Sequence, residues 1–252
     1  MRTVTAGPAF KDHFSGQSQA YRRYRPEYPP ALFEWLAASV PGHELAVDVA
    51  TGSGQAAVAL AAHFRRVIAT EPSAAQLDEA PAHPRVEYRR EMAESMSVDS
   101  ASADLLVVAQ AAHWFDWARF VTEARRVLRP GGLLAFWTYG NCQVTPQVDR
   151  LVADFSRDVV GLHWPRERRH VEEGYRDLAV PMAALEIPRF EMRQRWDAAA
   201  MLGYLDTWSA VRRYRSRSGR DPLVLLAGPL AAAWGEGMRD VRWPLVVRAH
   251  RA

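Results

Sequence analysis

The stretch from Leu45 to Leu60, L-A-V-D-V-A-T-G-S-G-Q-A-A-V-A-L, constrains this chain more than any other. It begins as a short apolar run ending at Asp48-Val49, the length and composition of a buried strand. It tightens into Gly52-Ser53-Gly54 and continues from Gln55 as alanine, valine and leucine, which suit a helix packed on a sheet. A strand, a glycine turn and a helix in succession offer backbone N–H groups to a ligand, with no Cβ in the way at the glycines. Function is therefore to be sought over that turn.

The same alternation recurs downstream. Arg66 to Thr70 reads as a second strand that stops at Glu71-Pro72, and Val86 to Arg89 as a third leading into Glu91-Met92-Ala93-Glu94. Asp104 to Ala109 is a continuous apolar run of the parallel-sheet type, ending in Gln110-Ala111-Ala112-His113-Trp114. A helix follows with Trp117, Phe120, Val121, Ala124, Val127 and Leu128 on one face, stopped by Arg129-Pro130-Gly131-Gly132 before a fifth strand from Leu133 to Tyr139. Strands alternating with helices predict an α/β fold with a doubly wound parallel sheet. In such sheets ligands sit beyond the carboxyl ends of the strands, where Asp48, Glu71, Met92 to Glu94 and Gln110 to Trp114 all fall. Glu71, 17 residues beyond Gly54, is placed to accept both ribose hydroxyls of an adenosine cofactor. His113 and Trp114 are expected as the substrate-side catalytic pair, the alternative being that Trp114 and Phe115 cap the next helix and His113 is only hydrogen-bonded.

Either side of this core the pattern is looser. Tyr21, Tyr24, Arg25 and Tyr28 make the lead too dense in rings for a solvated tail, so residues 1–30 read as a segment packed across the surface or a flap over the ligand. Beyond Gly140, Arg189 to Trp196 and Val241 to His250 look like two more strands, with helices from Ala198 to about Tyr214 and from Pro222 to Trp234. The inserted segments carry His163, Trp164, Arg166, Arg168, Arg169, Tyr175, Tyr204, Trp208, Arg212 and Tyr214. They form either a helical cap with amphipathic edges or a lid over a substrate pocket. With no linker in view, the expectation is one domain over 1–252: a flap (1–30), a cofactor-binding core (31–139), then cap helices and the last two strands (140–252).

Composition narrows the function classes. A single cysteine, Cys142, excludes an internal disulfide framework and a cysteine-based metal cluster. A net charge of +3 is small for 252 residues, so no nucleic-acid partner is expected, although Lys11 is the sole lysine and arginine carries the rest of the positive charge. No run approaches 18 apolar residues and Met1 to Phe10 hold no apolar signal core, which points to a cytoplasmic protein without membrane attachment; a monomer or homodimer is expected, the sequence not deciding between them. Neither H-E-x-x-H nor G-x-S-x-G occurs, so metal and hydrolase readings have no support.

Two cofactors compete for the turn. Gly52-x-Gly54-x-x-Ala57 matches the dinucleotide pattern of NAD(P)-dependent oxidoreductases. Against it, Asp48 would repel a pyrophosphate and welcome a cofactor bearing an ammonium group. At this point the chain resembles the class I S-adenosylmethionine-dependent methyltransferases. Asp48 to Gly54 follows that family's D-x-G-x-G-x-G turn, Glu71 its ribose-binding acid, and Arg126-Val127-Leu128-Arg129-Pro130-Gly131-Gly132 its R-V-L-K-P-G-G signature. Tyr24 to Pro29 and Gln110 to Asp116 resemble the trans-aconitate methyltransferase-like branch, grouped with the UbiE/COQ5-type enzymes.

The resemblance implies a Rossmann-like seven-stranded sheet whose last strand runs antiparallel, with a helical cap inserted after strand 5 and between strands 6 and 7. It implies S-adenosyl-L-methionine as cofactor, held by Asp48, Ala50, Thr51, Gly52, Gly54, Glu71, Pro72, Met92, Ala93, Glu94 and Gln110, with Tyr21 or Arg25 closing over it. Ala50 replaces the first glycine of the turn, and Met92 stands where relatives place a polar residue near the adenine amine. The implied activity is methylation of a small molecule at oxygen or nitrogen, a carboxylate being favoured by the arginine-rich cap. Such an acceptor needs no base, whereas a phenol, enol or ring nitrogen would use His113 as one. The alternatives are an NAD(P)-dependent oxidoreductase and a non-catalytic S-adenosylmethionine-binding protein.

Overall fold

The computed structural model describes residues 24–252. Its centre is a sheet in which β1 (Leu45–Val49) lies between β2 (Arg66–Thr70) and β4 (Ala103–Ala109), parallel to both. Outward on one side β2 pairs with β3 (Val86–Arg89), and on the other β4 pairs with β5 (Leu128–Thr138), again in parallel. Beyond β5 runs β8 (Arg239–Arg251), antiparallel, with Leu133 opposite Arg251 and Thr138 opposite Val246. The first half of β8 pairs with β7 (Phe190–Trp196), and its far end with a two-residue strand, β6 (Ala183–Ala184). The order is β3-β2-β1-β4-β5-β8-β6, with β7 also on β8, so the strand order reverses between β1 and β4. That reversal opens a crevice at the carboxyl ends.

The apolar runs are explained by burial on both faces of the sheet. Along β4, Leu105 and Val107 enter one core while Leu106 and Val108 enter the other. Helix α1 (Pro30–Ala38) starts on prolines and buries Leu32, Phe33, Leu36 and Ala37 against the first face. After α2 (Gln55–Leu60) and the single turn α3 (Ala74–Leu77), α4 (Trp117–Val127) covers the second face with Phe120, Val121, Ala124 and Val127. The Asp116 side chain caps α4, accepting from Arg119 N at 3.3 Å. Each fully buried side chain of this kind contributes about 1.5–3 kcal/mol relative to exposure.

The Arg126-to-Gly132 signature has a structural reason. Arg126 bonds Glu123 and the carbonyls of Met96 and Val98, tying α4 to the loop before β4. Arg129 pairs with the buried Asp104 carboxylate at 2.8 Å. A Cβ on Gly132 would stand 2.9 Å from the Arg129 carbonyl oxygen and 3.1 Å from that of Ala103, so only glycine fits.

Chain 139–182 holds α5 (Pro146–Asp154), a π turn and α6 (Arg168–Glu172). Between β7 and β8 lie α7 (Ala198–Asp206), α8 (Ser209–Ser218) and α9 (Val224–Trp234), which pack on the first face through Tyr204, Leu205, Val211 and Trp234. Three differences from expectation stand out. Among the described residues the sheet has eight strands rather than seven, because Ala183-Ala184 adds the short β6. The helix expected from Ala198 to Tyr214 is two, broken at Thr207, whose hydroxyl bonds the Tyr204 carbonyl at 2.6 Å. Strand β5 begins at Leu128, within the residues expected to end the preceding helix. Among the described residues no helix is long and apolar enough to cross a membrane.

Candidate functional site

The turn after β1 runs through three left-handed residues: Ala50 (φ 55°), Gly52 (59°) and Gly54 (84°). At Ala50 a Cβ occupies a conformation that costs L residues about 1–2 kcal/mol, which glycine would avoid. A Cβ on Gly54 would lie 2.5 Å from the Tyr88 hydroxyl, so this glycine serves close packing behind the turn. The turn is tied to β2 by Thr51 N donating to Thr70 O at 2.9 Å.

A cavity of about 430 Å³ opens over this turn and the ends of β2, β4 and β5. Of the residues singled out from the sequence, Arg25, Ala50, Thr51, Gly52, Glu71, Pro72, Met92, Ala93, Glu94, Gln110, His113 and Trp114 line it. Asp48 and Gly54 lie behind its wall, and Tyr21 falls outside the described residues. The cavity also takes in Gln76, Tyr139 and Asn141, and from the cap Trp164, Arg168, Tyr204, Trp208 and Arg212. His163, Arg166, Arg169, Tyr175 and Tyr214, equally prominent in the sequence, do not line it. Gln76 and Asn141 carry no signal in the sequence that would have marked them.

Glu71, 6% exposed, sits where β2 ends. Its Oε2 accepts from Gly52 N at 3.1 Å and its Oε1 from Ser73 N at 3.0 Å, so the carboxylate pins the turn while facing the cavity. Asp48 is fully buried and accepts from Thr51 Oγ1 at 2.5 Å, while its Oδ1 has no hydrogen-bond partner among the described residues. Burial pushes its carboxyl up to about 7, helped by the Glu71 charge and opposed by the Thr51 hydrogen bond and the nearby Ala57 backbone N–H. A buried carboxylate with an unmatched oxygen beside the turn, together with Glu71 at the cavity wall, fits a cofactor that brings an ammonium group and a ribose.

Gln110 is left-handed as well (φ 58°) and is fixed by four bonds to the end of β5 and to Tyr139 just beyond it. Its backbone N–H donates to Trp137 O, its Nε2 to Tyr139 O, and its Oε1 accepts from Thr138 Oγ1 and Tyr139 N. This clamp holds the ends of β4 and β5 together at the cavity floor. His113 and Trp114 follow on a short 3₁₀ turn, their rings 4.7 Å apart. Nδ1 of His113 lies 2.8 Å from the Tyr175 hydroxyl. Burial, with the His170 and Arg168 charges adding, pushes the His113 imidazole down to about 3. The ring is therefore neutral at physiological pH and a weak base.

The lead and the cap meet over the opposite wall. Arg25 donates to the Tyr139 hydroxyl at 2.9 Å and lies 5.6 Å from the Tyr204 ring centroid. The Tyr24 ring occupies the space beside Gly203 on α7, where a Cβ would meet it at 2.5 Å. Arg168 stacks at 3.8 Å on Trp164, pairs with Glu172 at 3.3 Å, and has its affinity for protons lowered chiefly by burial. Arg25, Arg168 and Arg212 thus bring three guanidinium groups to a wall otherwise built from Trp164, Trp208 and Tyr204.

Comparison with known proteins follows the same geography. A family profile described as a methyltransferase domain matches residues 47–136, from the middle of β1 into β5. A methyltransferase-family protein of Dictyostelium discoideum is 32% identical over 229 residues, covering 89% of this chain and 87% of its own. An uncharacterized methyltransferase of Mycobacterium tuberculosis is 38% identical over 122 residues, 48% of this chain and 49% of its own. Among solved structures, a type II methyltransferase-family protein from Anaeromyxobacter dehalogenans is 47% identical and superposes with a TM-score of 0.85, covering 90% of this chain and 98% of that one.

Proposed function

From the premise that this chain belongs to the methyltransferase family, we propose that it transfers a methyl group from S-adenosyl-L-methionine to oxygen or nitrogen of a small anionic acceptor, a carboxylate being favoured. The observation that carries this reading is the division of one cavity between two chemistries. At the strand ends stand the Glu71 carboxylate and the glycine turn; from the lead and the cap come Arg25, Arg168 and Arg212 among rings.

When bound, S-adenosylmethionine supplies a methyl group already activated on a sulfonium centre. The protein's work is then to bind, align and exclude water. Glu71 accepts ribose hydroxyls while keeping its bonds to Gly52 and Ser73. The amides of the turn and of Ala93 approach the cofactor, and Met92, 41% exposed, offers an apolar edge to the adenine. Asp48, from beneath the turn, offsets the ammonium charge and is drawn into its ionised form by it. Trp114 and the Trp164 and Trp208 rings close the cavity against water. Arg168, stacked and only partly neutralised by Glu172, is the cation for an acceptor carboxylate, which needs orientation and no base.

A nicotinamide-dependent oxidoreductase is not favoured, since the relatives named above are methyltransferases and Asp48 stands against a pyrophosphate. Titration calorimetry with S-adenosylhomocysteine and with NAD tests the cofactor: heat with the first and none with the second is expected, and the reverse refutes the reading. Incorporation of label from methyl-labelled donor into a metabolite extract then tests the reaction. Binding without incorporation would leave a non-catalytic S-adenosylmethionine-binding protein.

A further inference from the structure

Tyr175 follows α6 by a turn that local preferences do not favour. Gly174 and Tyr175 are both left-handed, at φ 62° and 59°. Glycine adopts that conformation freely; a tyrosine there costs about 1–2 kcal/mol. Such outliers persist where their surroundings over-determine them, and they cluster at working sites. Here Gly174 N donates to Val171 O at 3.0 Å, Tyr175 N to His170 O at 2.7 Å, and Arg248 on β8 donates to the Tyr175 carbonyl. The ring that results is fully buried, 5.9 Å from Phe136 and stacked 6.0 Å from His113 with the planes 29° apart. Its hydroxyl meets His113 Nδ1 at 2.8 Å.

One proton lies between these two atoms. The Thr138 side chain and the backbone N–H groups of His113 and Ala112 also lie close to the phenol oxygen, and Thr138 Oγ1 gives its own hydrogen to Gln110 Oε1. Among the described residues, His113 Nδ1 at 2.8 Å is the partner within hydrogen-bond geometry of the phenol hydroxyl, and the phenol is the natural donor to a neutral imidazole. A neutral imidazole that accepts at Nδ1 carries its hydrogen on Nε2. His113 lines the cavity while Tyr175 does not, which leaves Nε2 as the nitrogen for the cavity side.

We propose that Tyr175 is a positioning residue whose hydroxyl holds His113 as the Nε2–H tautomer, so that His113 offers the acceptor a hydrogen-bond donor and not a base. What the donor faces rests on the methyltransferase reading; the tautomer itself does not. Arg168 and His113 then both present hydrogens to the acceptor, and neither takes one from it. A site of that make-up selects a group that arrives already ionised over a phenol or amine that must first lose a proton.

Long-range nitrogen–proton NMR on protein with labelled histidine tests this, His113 being assigned by difference from His113→Gln. Wild type is expected to show a proton-free Nδ1 and a protonated Nε2, unchanged from pH 8 to pH 5. In Tyr175→Phe, which keeps the ring, the tautomers mix, while the S-adenosylhomocysteine Kd stays within about twofold. Benzoate added as a carboxylate probe shifts the wild-type Nε2–H resonance. A proton on Nδ1 in wild type overturns the proposal, and so does an unaltered tautomer in Tyr175→Phe; a resonance that benzoate does not move overturns the donor role. Should Tyr175→Phe fail to fold, the wild-type tautomer decides alone. Absence of S-adenosylhomocysteine binding in wild type would instead refute the cofactor reading and leave the tautomer result standing.

Discussion

Glu71→Gln tests the centre of the site with almost no change in volume. The carboxylate accepts two backbone hydrogens, from Gly52 at 3.1 Å and Ser73 at 3.0 Å, and is 6% exposed. A carboxamide has one oxygen and one NH₂, so whichever way it turns, a buried N–H faces a donor. An unsatisfied buried donor costs about 1–3 kcal/mol. For a chain of this length each kcal/mol is about 2–4 °C of Tm, giving a fall of about 2–12 °C by calorimetry. A ribose hydroxyl bonded to an ionised group contributes about 1.5–3 kcal/mol, and the carboxamide keeps one acceptor and loses the other, so S-adenosylhomocysteine should bind about 10–100-fold more weakly in titration calorimetry. A variant that melts with wild type and binds equally well refutes both halves of the argument. Lost stability with unchanged affinity would make Glu71 a brace for the turn and nothing more.

Asp48→Asn removes an acid whose folded-state value is raised to about 7. The stability such a group contributes is full below the ordinary carboxyl value of about 4 and is lost as pH rises toward 7. The asparagine variant should therefore lack that decline and gain Tm on wild type between pH 5 and pH 8; parallel melting curves would contradict the assignment. Gly54→Ala brings a Cβ within 2.5 Å of the Tyr88 hydroxyl at φ 84°, a loss of about 1–3 kcal/mol by denaturant titration, and Tyr88→Ala in the same chain should recover part of it. Additive losses in that double variant would mean that backbone strain alone is responsible. Arg168→Met should lower methyl incorporation at limiting acceptor about tenfold while the S-adenosylhomocysteine Kd holds within about twofold; equal incorporation would take Arg168 out of the acceptor site.

The strands that build the cavity floor were legible because β1, β2 and β4 are buried on both sides, and two-sided burial writes itself as an unbroken apolar run. Glu71, Gln110 and His113 were legible because strand ends in a doubly wound sheet point at one crevice. Strand β6 was not, since two exposed alanines pair through backbone alone. Nor was the break between α7 and α8, which depends on the Thr207 hydroxyl folding back on Tyr204 and on Trp208 turning its ring toward Trp164 and Tyr204. Tyr175 stood out as one of many cap rings, yet its contact with His113 bridges 62 positions of sequence and two left-handed residues that no local pattern announces. Asp48 was legible as an acid at the end of the first strand, but its full burial beneath the turn was not, since that depends on the packing of β1 between its neighbours.

Trp196 at the end of β7 lies directly opposite Arg239 at the start of β8. Topologically, everything between them is the loop of a single hairpin that has been let out to great length. The free-energy penalty for lengthening such a loop grows only with the logarithm of its size. Tyr204, Trp208 and Arg212 all ride on this excursion. The part of the protein that chooses what enters the cavity can thus be lengthened, shortened or exchanged without rethreading the sheet beneath it.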